Sequence, residues 1–126
     1  LIYKKSSSSR YVEKFESIQL IVSKLEEAFS DKNWGWNYPK MVAEYFGDLY
    51  IVLSELNEVL KKDGVACFVV GDQTYKGILI PVGKILCEIA MDLGFKTKLE
   101  LFRVRRSTLH NIPLKEEVVI LKKTGY

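Results

Sequence analysis

Residues 65–70, Val-Ala-Cys-Phe-Val-Val, form an unbroken apolar run too short for a helix of ordinary length. A run apolar at every position argues a strand covered on both faces of its sheet. Lys61-Lys62-Asp63-Gly64 precede it and read as the end of a helix. They put basic charge at the negative end of the dipole, then a glycine for a left-handed cap. Beyond the run, Gly71 and Gly77 enclose Asp72, Gln73, Thr74, Tyr75 and Lys76. A glycine-flanked polar loop after an apolar strand is where α/β proteins place ligands. It is equally what a strand-to-helix connection looks like. Residues 78–93 read as the helix that follows, with Pro81 in its first turn, Gly94 as its cap, and Val82, Ile85, Leu86, Ile89 and Leu93 inward. A strand at about 95–105 completes a right-handed crossover unit. The fold class implied is α/β.

The rest of the chain extends this unit on both sides. From Arg10 to about Ser30, Tyr11, Phe15, Ile18, Val22, Leu25 and Phe29 recur at helical spacing. The preceding Lys4–Ser9 stretch is polar and is expected to be a flexible start or a capping segment. A loop at 31–39 carries Trp34 and Trp36, read as a lid on the core in preference to a base-stacking platform. A second helix runs from about Pro39 to Lys62 with a wide apolar stripe. The final strand, about 117–123, contains Val118-Val119-Ile120-Leu121 and is expected to be central, antiparallel to both earlier strands. The expected order is α-α-β-α-β-β, with a three-stranded mixed sheet.

With 126 residues, 48% apolar and 28% charged, the chain suits a single packed domain. Within it, 1–9 would be the flexible start, 10–37 a helix and loop, and 38–126 the α/β part. The two cysteines, Cys67 and Cys87, sit in apolar contexts and read as buried, reduced core residues. No stretch approaches the ~18 unbroken apolar residues of a membrane span, and no signal-peptide pattern appears. A cytoplasmic location follows as an expectation. Charge is uneven: residues 1–94 hold 11 Lys/Arg and 13 Asp/Glu, whereas residues 95–126 hold 8 and 3. Basic charge gathered in the last quarter favours a polyanionic partner on one face, against the plainer reading of a solvated basic hairpin.

Several passages carry a family resemblance: residues 45–64 running into the 65–72 strand, residues 69–77, residues 80–95 with their Gly94-Phe95 ending, and residues 105–123. Together they resemble the C-terminal half of class I S-adenosylmethionine-dependent methyltransferases, nearest to the DNA enzymes that methylate adenine N6 or cytosine N4. The resemblance covers roughly residues 38–123 and implies a partial Rossmann-like sheet. Asp63-Gly64 stands where that family commonly has two glycines. The family's Gly-rich cofactor loop does not occur here, and neither does its Asp/Asn/Ser-Pro-Pro-Tyr/Phe catalytic motif. Pro39, Pro81 and Pro113 are never adjacent. The resemblance therefore implies a fragment, a split subunit or a degenerate relative. S-adenosylmethionine would belong only to a complete enzyme, and none is expected to bind this chain alone.

In that frame Asp72, Gln73, Thr74, Tyr75 and Lys76 become candidates for the rim of a target-base pocket, holding substrate without transferring the methyl group. Arg103, Arg105, Arg106 and Lys115 suit phosphates; Ser107, His110 and Asn111 could touch phosphate or base. No residue is assigned a catalytic role. His110 is the sole histidine, which excludes a multi-histidine metal site within one chain. The competing reading is a non-catalytic nucleic-acid-binding or assembly module that keeps half of the fold. A third is a small α/β domain with a convergent likeness. DNA is the expected partner, together with a missing methyltransferase half. A homodimer formed through an open strand edge or through apolar helices is also expected.

Overall fold

The computed structural model describes residues 8–29, 37–108 and 111–125. The lid expected from Trp34 and Trp36, His110 and most of the polar start lie outside these residues. The chain divides into two compact units, residues 1–52 and 53–126.

In the first unit a short 3-10 helix, Ser8–Val12, precedes α1, Glu16–Phe29, and α2, Tyr38–Val59, which runs on into the second unit. The single helix expected from Arg10 is thus broken at residues 13–15. Asn37 caps α2 by accepting a bond from the Lys40 N–H at 3.1 Å. Pro39 sits in the first turn, where a missing N–H costs nothing. Val12, Ile18, Leu25, Val42 and Phe46 are buried, as helical spacing requires. Ser8 donates through Oγ to the Glu44 carbonyl at 3.0 Å. A Cβ on Gly47 would collide with the Ser8 carbonyl, so glycine permits this close approach. Tyr11 stacks on Tyr50 with ring centroids 5.6 Å apart, and Phe15 meets Tyr50 edge-on.

The second unit holds the end of α2, then β1 (Val65–Gly71), β2 (Gln73–Tyr75), β3 (Ile78–Ile80), α3 (Val82–Asp92), β4 (Phe95–Arg106) and β5 (Pro113–Lys123). The main sheet has the order β1-β5-β4, with β5 central. Both pairings are antiparallel, so the sheet is not mixed in its hydrogen bonding. α3 covers one face, burying Val82, Ile85, Leu86 and Ile89 over Val119 and Leu121. Asn57 Nδ2 donates to the Leu93 carbonyl at 3.1 Å, and the buried Lys123 Nζ to the Leu60 carbonyl at 2.8 Å. These bonds tie the end of α2 to the sheet. Between Leu101 and Arg103 the β4–β5 register shifts, leaving Phe102 as a bulge.

Three expectations fail here. Residues 78–80 are strand, not helix. Lys76 (φ 50°) and Gly77 (φ 78°) both have positive φ, and Tyr75 pairs with Ile78. That is the two-residue type I′ turn whose twist matches a hairpin. Residues 65–70 are not covered on both faces. β1 is an edge strand whose Val65, Cys67 and Val69 side chains are exposed, Val69 by 73%. Cys67 is therefore an exposed thiol and Cys87 is half-buried, so neither is a buried core residue. An apolar sequence cannot report whether its second face has a cover.

Candidate nucleic-acid interface

β1 ends beside the start of β5, and this edge carries the candidate residues. Gly71 is the last residue of the β1 ladder, opposite Glu116. The Asp72 N–H then donates to the Lys115 carbonyl at 2.9 Å, and the Lys115 N–H returns a bond to Asp72 Oδ2 at 3.1 Å. Asp72 thus closes the ladder with its own carboxylate and is buried. Gln73 to Tyr75 form β2, with Gln73 exposed and Thr74 and Tyr75 half-buried. Lys76 is exposed at the hairpin tip. The structure therefore brings Asp72 and Lys115 together and spreads the other loop residues along a hairpin.

The β4–β5 hairpin holds the basic residues. Arg103 Nε and Arg105 Nε both donate to Glu116, the latter to Oε2 at 2.9 Å. Both arginines stay more than half exposed, whereas the Glu116 side chain is only 20% exposed. The Arg103 hydrogen bond holds the Glu116 carboxyl below its usual range, with Arg105 adding to it, while partial burial opposes. Glu116 in turn raises Arg103 above its already high value. Arg106 donates through Nη1 to the Asn111 carbonyl at 3.0 Å. Ser107 closes the tip: its N–H donates to the Ile112 carbonyl at 2.9 Å, and its Oγ accepts from the Ile112 N–H at 3.0 Å. Asn111 donates to the Ser107 carbonyl and takes the left-handed conformation (φ 52°) that asparagine tolerates.

Ser107 and Asn111 are accordingly engaged in shaping the turn. Arg103, Arg105, Arg106 and Lys115 present cationic groups around it. Glu116 and Glu117 were not among the residues singled out from sequence. Glu116 binds two of the candidate arginines. Glu117 is buried, and burial first and the Asp72 charge second push its carboxyl up, with Lys115 pulling the other way. Neighbouring residues on a strand face opposite ways, so the Glu116-Glu117 pair itself signalled one inward carboxylate. Among the described residues, no group of three or more His, Cys, Asp or Glu could hold a metal ion, and no helix is long and apolar enough to cross a membrane.

Over 100 residues, 78% of its length, the chain is 35% identical to the type II methyltransferase M.AvaI of Nostoc sp. (strain PCC 7120 / SAG 25.82 / UTEX 2576) and to that of Anabaena variabilis. The chain is a relative of a type II methyltransferase. It spans about a fifth of the length of these curated relatives, the matched segment being 20% of each. No family model matches it, and no solved structure matches it significantly. Relationship to a methyltransferase and an α/β architecture therefore agree with the resemblance carried by the sequence.

Proposed function

We propose that the chain is the C-terminal, substrate-side portion of an S-adenosylmethionine-dependent DNA amino-methyltransferase of the restriction–modification kind, inactive by itself. The likeness to M.AvaI carries this reading. The β4–β5 hairpin supports it by holding Arg103, Arg105, Arg106 and Lys115 on one short stretch, a pattern suited to phosphates. Asp72 and the β2–β3 hairpin lie past the carboxyl end of β1, the edge where such sheets bind ligands. The cofactor would supply the transferred methyl group in a complete enzyme. The 71–77 segment does not fit it: it is the end of β1, strand β2 and a two-residue type I′ turn, not an open cradle of N–H groups. This chain's residues would bind and orient the nucleic acid, and another portion would bring the catalytic wall.

Missing catalytic residues leave a second reading open, that of a non-catalytic nucleic-acid-binding module. Titration with S-adenosylmethionine and duplex DNA separates the two from any convergent likeness. DNA binding that weakens steeply with salt is expected, with no cofactor binding by the chain alone. Micromolar cofactor binding would overturn the division of labour. DNA binding unchanged after charge reversal at Arg103, Arg105 and Arg106 would overturn the interface. Methyl transfer restored on adding the remaining portion of an M.AvaI-like enzyme would favour the first reading over the second.

A further inference from the structure

Asp72 and Glu117 are both buried, at 4% and 7% exposure. Val70 lies opposite Glu117 in the β1–β5 register. Asp72, two residues further along, shares that face and is therefore a diagonal neighbour of Glu117, within reach of a long side chain. This is the face that α3 covers. A Cβ added to Gly83, in the first turn of α3, would come 2.7 Å from Glu117 Oε1. Asp72 Oδ2 accepts from Lys115, but Asp72 Oδ1 is the one buried side-chain polar atom among the described residues with no hydrogen-bond partner. An orphan carboxylate oxygen beside a second buried carboxyl is doubly unfavourable: one group lacks a donor, and two anions repel. One proton between them removes both costs.

We propose that Asp72 and Glu117 share a single proton, held on Glu117 and donated to Asp72 Oδ1, which makes Glu117 a positioning residue for the β4–β5 hairpin. It acts through Asp72, whose other oxygen holds the Lys115 N–H near the turn of that hairpin. The groups acting on the pair are few. Lys115 contributes a cation from β5, and Cys87 presents a half-buried thiol from α3 whose own titration is raised first by burial and also by Glu117. On the same face β4 presents Thr97, Leu99 and Leu101, none of which ionises. The raised Glu117 carboxyl agrees with this arrangement. Because the folded state binds this proton more tightly than the unfolded chain, the contribution of this pair to stability is full at low pH. It falls as pH rises from the ordinary carboxylate value of ~4.3 through the raised one.

The proposal does not depend on the methyltransferase reading, and its test uses no DNA. In the whole chain, carboxyl carbon-13 resonances of Asp and Glu are followed with pH, beside urea unfolding of wild type, Glu117→Gln and Asp72→Asn. Glu117 is expected to titrate above the ordinary carboxylate range. Wild-type stability is expected to decline across that interval, and Glu117→Gln to flatten the decline. Asp72→Asn keeps an acceptor for Lys115 and is expected to lower the Glu117 midpoint. Hydrogen exchange at the Lys115 amide should follow the Glu117 midpoint in wild type and lose that dependence in Glu117→Gln. A Glu117 midpoint at or below the ordinary value overturns the proposal, and wild type alone decides this if the variants do not fold. A Lys115 amide indifferent to that midpoint overturns the positioning role.

Discussion

Arg103 and Arg105 illustrate what single residues conceal. In sequence they are two free cations near a turn; in the folded hairpin one carboxylate, Glu116, binds both. Removing that carboxylate should strengthen any polyanion contact. Glu116→Gln is expected to raise DNA affinity at low salt and to steepen its salt dependence by about one unit of log–log slope, measured by anisotropy. Stability should respond in the opposite sense on acidification. Because Arg103 and Arg105 lower the Glu116 titration, its contribution is present above the ordinary carboxylate value of ~4.3 and lost as pH falls through the lower folded one. The adjacent Glu117 does the reverse, since its folded value is raised. As pH rises above mild acidity, Glu116→Gln should therefore lose stability relative to wild type and Glu117→Gln gain it. The strand pattern shows that Glu116 and Glu117 face opposite ways; which one meets arginine depends on strand register, which no local pattern carries.

At the scale of elements, α3 was legible almost in full. Its buried positions Val82, Ile85, Leu86 and Ile89 follow helical spacing, and Gly94 (φ 98°) ends it. The β2–β3 hairpin was not, because Ile78-Leu79-Ile80 before Pro81 also fits the opening turn of a helix. Proline disfavours helical geometry in the residue before it, so Ile80 carried a signal for extended backbone that apolar spacing masks. Lys76-Gly77 is a weaker turn signature than Asn-Gly but uses the same left-handed geometry. Gly77→Ala should cost about 1–2 kcal/mol, the penalty for an L-residue in that region. Gly125→Ala, with nothing within 4 Å of its added Cβ and no positive φ, should leave urea unfolding unchanged.

For the whole molecule, the contrast between the two sheet edges matters most. β4 carries Lys96, Lys98, Glu100 and a bulge, the devices by which natural sheets discourage further pairing. β1 has no charge, no proline and no bulge, and among the described residues only β5 pairs with it. Its hydrogen bonds to β5 involve the even-numbered backbone groups: Lys123 N–H donates to the Gly64 carbonyl, and Asp72 N–H to the Lys115 carbonyl. Alternation then turns the groups of Val65, Cys67, Val69 and Gly71 toward the open edge. Association of the isolated chain along β1, or its dependence on the remaining portion of a larger enzyme, is the expected outcome. Val69→Lys should reduce self-association in sedimentation without unfolding the chain. A monomer at high concentration in wild type would count against it. The sequence showed how apolar this strand is, but a strand buried on both faces and one awaiting a partner share the same residues.

The bulge at Phe102 also acts as a phase shift in the chain's charge pattern. Leu101 pairs with Glu117. Without the bulge, with Phe102 paired to Glu116, alternation would set Arg103 against Lys115 and Arg105 against Pro113, on the face that α3 covers. With it, Arg103 meets Glu116 on the opposite face. Leaving one residue unpaired thus exchanges a like-charge pair for an opposite-charge pair and carries the arginines from one side of the sheet to the other. Deleting Phe102 would join Leu101 directly to Arg103 and so keep Arg103 opposite Glu116 with no bulge at all.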